Sequence, residues 1–358
     1  MRIAYIIPSL KRTGPNIVVH SIVNSKVINN NEIDIYYFDK TENPLIFPCP
    51  THQISMNETI NFDYYDIIHS NMLRPDRYIY KYRKSIKRAK LVTTIHQDIF
   101  SNLSSSYNII TASLVTPLWL KYISKFSFAV PISKSIKQIY KNKLNNLSYV
   151  IYNGVNVNYR PDKQNKELYN QIKSLKGNCS FLLGTYAQIT FRKGIDQIID
   201  VLAIKKDLGA VIIGEGNAKS SLIKKVKELK LDNRVLFLPY VKDPYNYLES
   251  IDVYVMPSRS EGFGLAMVEA AITRTPIICS NIDVFREIFN EDQVAFFSID
   301  NIDSLSKAID KVMINKEILS HNAYERASSQ FTIDNMAKDY LNLYKLLLHK
   351  KSDCLNRE

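Results

Sequence analysis

Short apolar runs alternate with longer stretches in which apolar positions recur every three or four residues, along almost the whole 358-residue chain. The runs at Ile3–Ile7, Ile33–Phe38, Asp66–His69, Leu91–Ile95, Phe128–Pro131 and Tyr149–Tyr152 predict six strands in the first half. Phe181–Tyr186, Ala210–Ile213, Val235–Leu238, Val253–Met256 and Pro276–Cys279 predict five more in the second. Between them, Asn16–Asn29, Lys193–Lys205, Lys219–Lys230 and Gly264–Thr273 carry the helical period. Continuous apolar strands separated by amphipathic helices imply parallel sheets covered on both faces. Two such series in succession predict an α/β protein of two doubly wound domains. The break falls at Asn153-Gly154-Val155, and the polar stretch from Asn156 to Asn165 reads as a linker.

The most apolar uncharged run, Ile109 to Leu120, contains Thr111, Ser113, Thr116 and Pro117 and is shorter than the roughly 20 residues a bilayer crossing needs. A buried helix is expected there. Only five residues separate Arg2 from Pro8, too few for a signal-peptide core, so the first residues read as a strand. Cys49, Cys179, Cys279 and Cys354 lie far apart without metal or redox spacing, which suggests reduced thiols in a cytoplasmic protein.

Charge divides unevenly. Of a net +12, the residues up to Asn153 hold 19 basic and 9 acidic groups, so most of the basicity belongs to the first half. Much of it lies in Arg74 to Lys90, with eight basic residues and one Asp. Tyr78, Tyr82, Ile86 and Ala89 fall at helical spacing there, leaving Arg77, Lys81, Lys84, Lys87 and Arg88 outward. Such a face is either simply solvated or meets something anionic, lipid headgroups or phosphates. Nucleic acid is disfavoured, because no binding motif accompanies the charge.

Ligands of doubly wound sheets bind beyond the carboxyl ends of the strands, and the glycines concentrate there. Of only 10, Gly14, Gly154, Gly184, Gly194, Gly214, Gly216, Gly262 and Gly264 follow predicted strands or open predicted helices. Together they point to two loop-lined faces looking into a shared cleft. After Phe181–Gly184, Phe191-Arg192-Lys193-Gly194 opens a predicted helix; two cations at the positive end of a helix dipole suit a diphosphate. After Val253–Met256 comes Glu261-Gly262-Phe263-Gly264-Leu265, with Glu269 in the helix that follows. Eight steps of 100° leave about 80°, so both carboxylates can share one side of the turn. Each could be a surface charge, but Glu269 lies among Ala266, Met267, Val268, Ala270, Ala271 and Ile272 and needs a partner, such as ligand hydroxyls.

These residues resemble the E-x7-E signature of the retaining glycosyltransferases of family 4. Asn153-Gly154-Val155, Phe191-Arg192-Lys193-Gly194-Ile195-Asp196 and Val235–Val241 resemble further motifs of that family, and the likeness covers roughly residues 150 to 345. The resemblance implies the GT-B fold, two Rossmann-like doubly wound domains facing a cleft. It implies an acceptor-binding domain over 1–153, a nucleotide-sugar-binding domain over 154–330, and a helix within 331–358 crossing back to the first. Arg192 and Lys193 would then bind the donor pyrophosphate and Glu269 the ribose. Glu261 would sit near the reacting carbon, helped by the amides of Phe263, Gly264 and Leu265. Tyr240 and Val241 would frame the base, with Gly184 and Gly262 also at the donor. His96, at a strand end, resembles the His that touches the donor sugar, and Gly14 the glycine of the first loop. The family often has Gly-Arg after the strand where this chain reads Gly184-Thr185-Tyr186; the missing cationic role falls to Arg192.

The chemistry so implied is transfer of a hexose or N-acetylhexosamine from a nucleotide sugar, expected to be a UDP-sugar, with retention. The leaving phosphate would deprotonate the acceptor hydroxyl, so charge stabilisation is required and no cofactor or metal is expected. A lipid-linked saccharide acceptor in O-antigen or lipopolysaccharide assembly would give the basic first domain its task. The protein would then be cytoplasmic and peripheral on the inner membrane face, held to anionic lipid by Arg77, Lys81, Lys84, Lys87 and Arg88. Two other readings remain: a non-hydrolysing sugar-nucleotide epimerase of the same fold, and a non-catalytic basic binding subunit.

Overall fold

A computed structural model describes residues 1–158 and 166–349. The end of the linker expected at 156–165, Cys354 and the end of the segment 331–358 lie outside these described residues. The chain divides into two compact units, Met1–Val155 together with the chain from Phe331, and Asn156–Gln330.

The first unit carries β1 (Arg2–Ser9), α1 (Gly14–Asn24), β2 (Glu32–Asp39), β3 (Thr51–Gln53), β4 (Ile67–Asn71), α2 (Leu73–Tyr82), β5 (Lys90–Ile95), α3 (Ile99–Ser106), α4 (Ile109–Ile123), β6 (Phe128–Pro131) and α5 (Lys134–Tyr140). Its strands are all parallel in the order β3-β2-β1-β4-β5-β6. The second unit carries α6 (Lys166–Lys176), β7 (Phe181–Tyr186), α7 (Asp196–Ile204), β8 (Leu208–Ile213), α8 (Lys219–Glu228), β9 (Val235–Leu238), β10 (Val253–Met256), α9 (Leu265–Ile272), β11 (Ile277–Ser280), α10 (Asp283–Ile288), β12 (Ala295–Phe297) and α11 (Ile302–Gln330). Its order, β12-β11-β10-β7-β8-β9, is the same doubly wound sequence read from the other edge. The strand order reverses between β1 and β4 in one unit and between β7 and β10 in the other, so each has its ligand-binding switch point there.

The inner strands are buried throughout, as their apolar runs require: all six residues of β7 and of β8, and all four of β10. Two strands are not among those expected from the sequence. β3 is Thr51-His52-Gln53, an exposed edge strand with no apolar residue, held to β2 by parallel backbone pairing and by His52 on Asp34 and Gln53 on Phe38 O, and β12 is only three residues long. Conversely, Tyr149–Tyr152 forms no strand. Ser148 N–H donates to Ala129 O and Ile151 N–H to Pro131 O, but Pro131 has no N–H to return the bond, and the ladder stops. The segment Ile109–Leu120 is helical but not buried as a whole: Ala112, Thr116 and Trp119 are covered, whereas Ile109, Ile110, Leu114 and Leu118 are exposed.

The last helix, α12 (Ile333–His349), belongs to the first unit. Tyr344 Oη lies 2.6 Å from His69 Nδ1 and 2.9 Å from Tyr5 Oη, and Tyr340 Oη lies 2.9 Å from Thr94 Oγ1, all buried. Two hydroxyls placed on one helix face thereby satisfy polar groups inside the sheet. The chain leaves and re-enters at one point, where Val155 N–H donates to Phe331 O and Ile333 N–H to Val155 O. A Cβ on Gly154 would stand 2.2 Å from Thr332 O, which accounts for the glycine of Asn153-Gly154-Val155.

Candidate active site

The switch point of the second unit is built by two loops. The first follows β7 and makes a single 3-10 turn, Phe191–Lys193, stopped by Gly194 in the left-handed region at φ 64°. The helix expected from Lys193 therefore begins three residues later, at Asp196. Arg192 and Lys193 ride on the turn ahead of the helix rather than on its first turn. The second loop follows β10 and runs from Pro257 to Gly264, whose φ of 98° turns the chain into α9. Gly262, Phe263 and Gly264 are buried, and α9 is covered on most sides by its neighbours.

Glu261 joins the two loops. Its carboxylate pairs with Lys193 Nζ, lies 3.4 Å from Arg192 Nη1, and accepts from Ser258 Oγ at 2.9 Å. Arg192 Nη1 also donates to Ser260 O at 2.6 Å. Burial pushes the Glu261 carboxyl up, but Lys193 and then Arg192 outweigh it and hold the group below its ordinary value. Glu261 is thus an anion, and two cations share its single charge. The folded carboxyl titrates below the ordinary 4.5, so its contribution to stability is complete above that pH and is lost as pH falls through the lower folded value. Glu261→Gln should remove this part of the acid sensitivity, read as a shallower loss of Tm between pH 5 and 3 than in the unaltered chain.

Glu269 has a different environment. Tyr186, the last residue of β7, approaches Glu269 Oε2 with its hydroxyl at 2.5 Å, and its ring lies 5.1 Å from that of Tyr254. Burial raises the Glu269 carboxyl, opposed by the Tyr186 hydrogen bond. The partner that the apolar surroundings of Glu269 demand is therefore supplied within the chain. The tyrosine that supplies it occupies the position after Gly184-Thr185. Gly184 itself does not end the strand. It lies inside β7, where a Cβ would meet Ile251 Cδ1 at 2.4 Å, so sheet packing requires the glycine. Tyr240 and Val241 stand in the loop after β9, Tyr240 exposed.

In the first unit, His96 follows β5 at the switch-point end of the sheet. Its Nε2 lies 2.8 Å from Asn71 Oδ1, and burial lowers its pKa to about 3, so the ring is neutral at physiological pH. A neutral ring donating through Nε2 keeps Nδ1 as an acceptor. Gly14 opens α1, with open space where its side chain would be. The basic residues Arg77, Lys81, Lys84, Lys87 and Arg88 are exposed. Lys81 Nζ, however, donates to Met56 O and Asn57 Oδ1, and Arg88 pairs with Asp66 at 2.6 Å.

A family profile described as "Glycosyl transferases group 1" matches residues 167–330, nearly the whole second unit. The O-antigen biosynthesis glycosyltransferase WclY of Escherichia coli is 32% identical over 98% of this chain and 99% of its own. The chain belongs to the group 1 glycosyl transferases. The O-antigen chain mannosyltransferase C of Escherichia coli is 26% identical, over 83% of this glycosyltransferase and 76% of that one. Among solved structures, HepE of Anabaena in complex with UDP-glucose superposes with a TM-score of 0.81 at 19% identity, covering 97% and 100% of the two chains. The glycosyltransferase has the GT-B fold, with two Rossmann-like units.

Several residues of the glycosyltransferase that shape the site escape a reading of the sequence. Arg259 donates to both oxygens of Asp196, at 3.0 and 2.8 Å, to Asp300 at 2.5 Å and to Phe191 O at 2.8 Å, and lies over the Phe191 ring. It clamps the turn that carries Arg192 and Lys193 onto the loop that carries Glu261. Gln197 adds a second tie, donating to Pro257 O at 2.9 Å and accepting from Asp300 N–H at 2.7 Å. Ser258 alone had a local signal, three residues before Glu261 in the same loop.

Proposed function

We propose that the glycosyltransferase moves a hexose or N-acetylhexosamine from a UDP-sugar, with retention, to a hydroxyl of a lipid-linked saccharide in O-antigen or lipopolysaccharide assembly. The observation that carries this reading is the group Lys193–Glu261–Arg192 at the switch point of the second unit. Lys193 and Arg192 would neutralise the diphosphate as it leaves. Amides of Phe263, Gly264 and Leu265, at the start of α9, add donors at the same end. Glu269, held by Tyr186, is available to ribose hydroxyls, and Tyr240 and Val241 to the base. Glu261 and a neutral His96 would bind the donor sugar. The bond from the anomeric carbon to the phosphate oxygen breaks as the bond to the acceptor oxygen forms, and the acceptor proton passes to the departing phosphate. Two side-chain cations supply the charge this requires, so activity should survive EDTA.

The names of the relatives support the polysaccharide setting, and the basic first unit supports an acceptor presented at an anionic membrane surface. On this reading the protein works at the inner face of the cytoplasmic membrane.

A thermal-shift series with UDP-, GDP- and ADP-sugars tests the donor. UDP and its sugars should raise the melting temperature by several degrees at about 100-fold excess over Kd, and Glu269→Ala should abolish the rise. A rise with GDP alone would reassign the base. Conversion of a nucleotide sugar without any acceptor would identify an epimerase instead.

A further inference from the structure

The side chains of α4 separate into two faces with opposite fates. Ala112, Thr116, Trp119 and Ile123 turn inward, and Trp119 Nε1 donates to the buried Asp76 of α2 at 2.7 Å. Ile110, Leu114 and Leu118, spaced by four residues, form the opposite stripe and are 69%, 70% and 45% exposed. Ile109 and Tyr107 extend it at one end, and Phe100 of α3 is exposed as well. Single exposed apolar residues are ordinary, but a contiguous stripe on one helical hairpin marks a contact surface.

The part of the chain that carries this stripe is basic beyond Asp98, the N-cap of α3. From Ile99 to Asn158 the chain contains no Asp or Glu, yet it carries Lys121, Lys125, Lys134, Lys137, Lys141 and Lys143. Lys121 continues the Leu114–Leu118 stripe and is exposed. Helix α2 packs against α4 through Tyr80 and Tyr122, whose ring centroids lie 4.7 Å apart; α2 contributes exposed Arg77, and the turn that follows it exposed Lys84. A second copy would bring the same positive border against this one. An anionic bilayer offers both requirements at once, an apolar boundary for the stripe and negative headgroups for its border.

We propose that the α3–α4 face is a membrane-insertion surface. Ile110, Leu114 and Leu118, with Phe100, Tyr107 and Ile109, enter the acyl boundary of an anionic bilayer while the surrounding lysines meet the headgroups. This rests on the peripheral-membrane reading above but moves the anchor from the cations of Arg74 to Lys90, only the first part of which is helical (α2), to the apolar stripe of α4. Two of those cations, Lys81 and Arg88, are already held by Met56, Asn57 and Asp66. Among the described residues no helix is long and apolar enough to cross a membrane, so the contact lies in the plane of the surface.

Co-sedimentation of the full chain with phosphatidylglycerol–phosphatidylethanolamine vesicles, and with phosphatidylcholine vesicles as the neutral control, tests the proposal. The unaltered protein should bind the anionic vesicles, and a measurable fraction should stay bound at about 0.5 M salt, where surface charge is largely screened. Combining Ile110→Ser, Leu114→Ser and Leu118→Ser should weaken partitioning roughly a hundredfold. The melting temperature and the shift produced by UDP should not change. Arg77→Gln with Lys84→Gln should weaken only low-salt binding. If the unaltered protein binds no vesicle, the membrane reading itself falls. If it binds and the serine variant binds equally well, the insertion surface is wrong and the membrane reading stands. If the serine variant instead converts a dimer to a monomer in light scattering without affecting vesicles, the face joins two copies and the proposal is overturned.

Discussion

Lys193→Ala is expected to lower kcat by about 10²- to 10³-fold, the range found when one charge-stabilising donor is removed from a transition state. The ammonium pairs directly with Glu261 inside a nearly enclosed group, where charge is poorly screened. Without it, Arg192 alone faces both Glu261 and the departing diphosphate, and one of the two anions is left undercompensated. Two further signs should accompany the loss. The rise in melting temperature caused by UDP should shrink or vanish, and the Glu261 carboxyl should titrate higher than in the unaltered protein. Lys193→Arg, which keeps the charge but changes its geometry, should recover part of the rate. Full turnover in Lys193→Ala would mean that the diphosphate is held elsewhere.

Gly194→Ala is expected to destabilise the second unit by about 2–4 kcal/mol and to weaken donor binding together with stability. The backbone there has φ 64°, and a Cβ would stand 2.0 Å from Pro257 O and 2.5 Å from Gln197 Nε2. Neither neighbour can yield freely, because Gln197 Nε2 ties the loop by donating to Pro257 O. Relief would have to come from moving the turn, and with it Arg192 and Lys193. Gly14→Ala is the control. Its side chain would enter open space, so stability should hold, and any loss of rate would report a ligand brought close to that backbone. Equal melting curves for Gly194→Ala and the unaltered chain would contradict the loop geometry.

The two sheets were readable because inner parallel strands are buried on both faces and therefore apolar without interruption, as β1, β7 and β10 show. β3 was not readable, since Thr51-His52-Gln53 is an exposed edge strand tied to β2 by backbone pairing and by polar side-chain bonds, with no apolar run to mark it. The grouping of Arg192, Lys193 and Glu261 followed from motifs close to strand ends. The Tyr186–Glu269 bond joins residues 83 positions apart, and Arg259 reaches Asp196 and Asp300 across 63 and 41 positions. No local spacing encodes such pairs. The helix over Ile109–Leu120 was legible as a helix, but composition cannot say which of two apolar faces will find neighbours. The segment 149–152 failed for a reason visible only in the ladder, the missing N–H of Pro131.

The second unit is one uninterrupted stretch of chain, whereas the first is completed by α12 from beyond it. A ribosome therefore delivers the whole second unit before it delivers Tyr340 and Tyr344. Until then His69, Thr94 and Tyr5 lack the hydroxyls that satisfy them inside the sheet. The half of the protein that is synthesised first is the half that can be finished last, reversing the usual order of domain folding during translation. A chain released early, before α12, would carry a complete second unit attached to an incomplete first one.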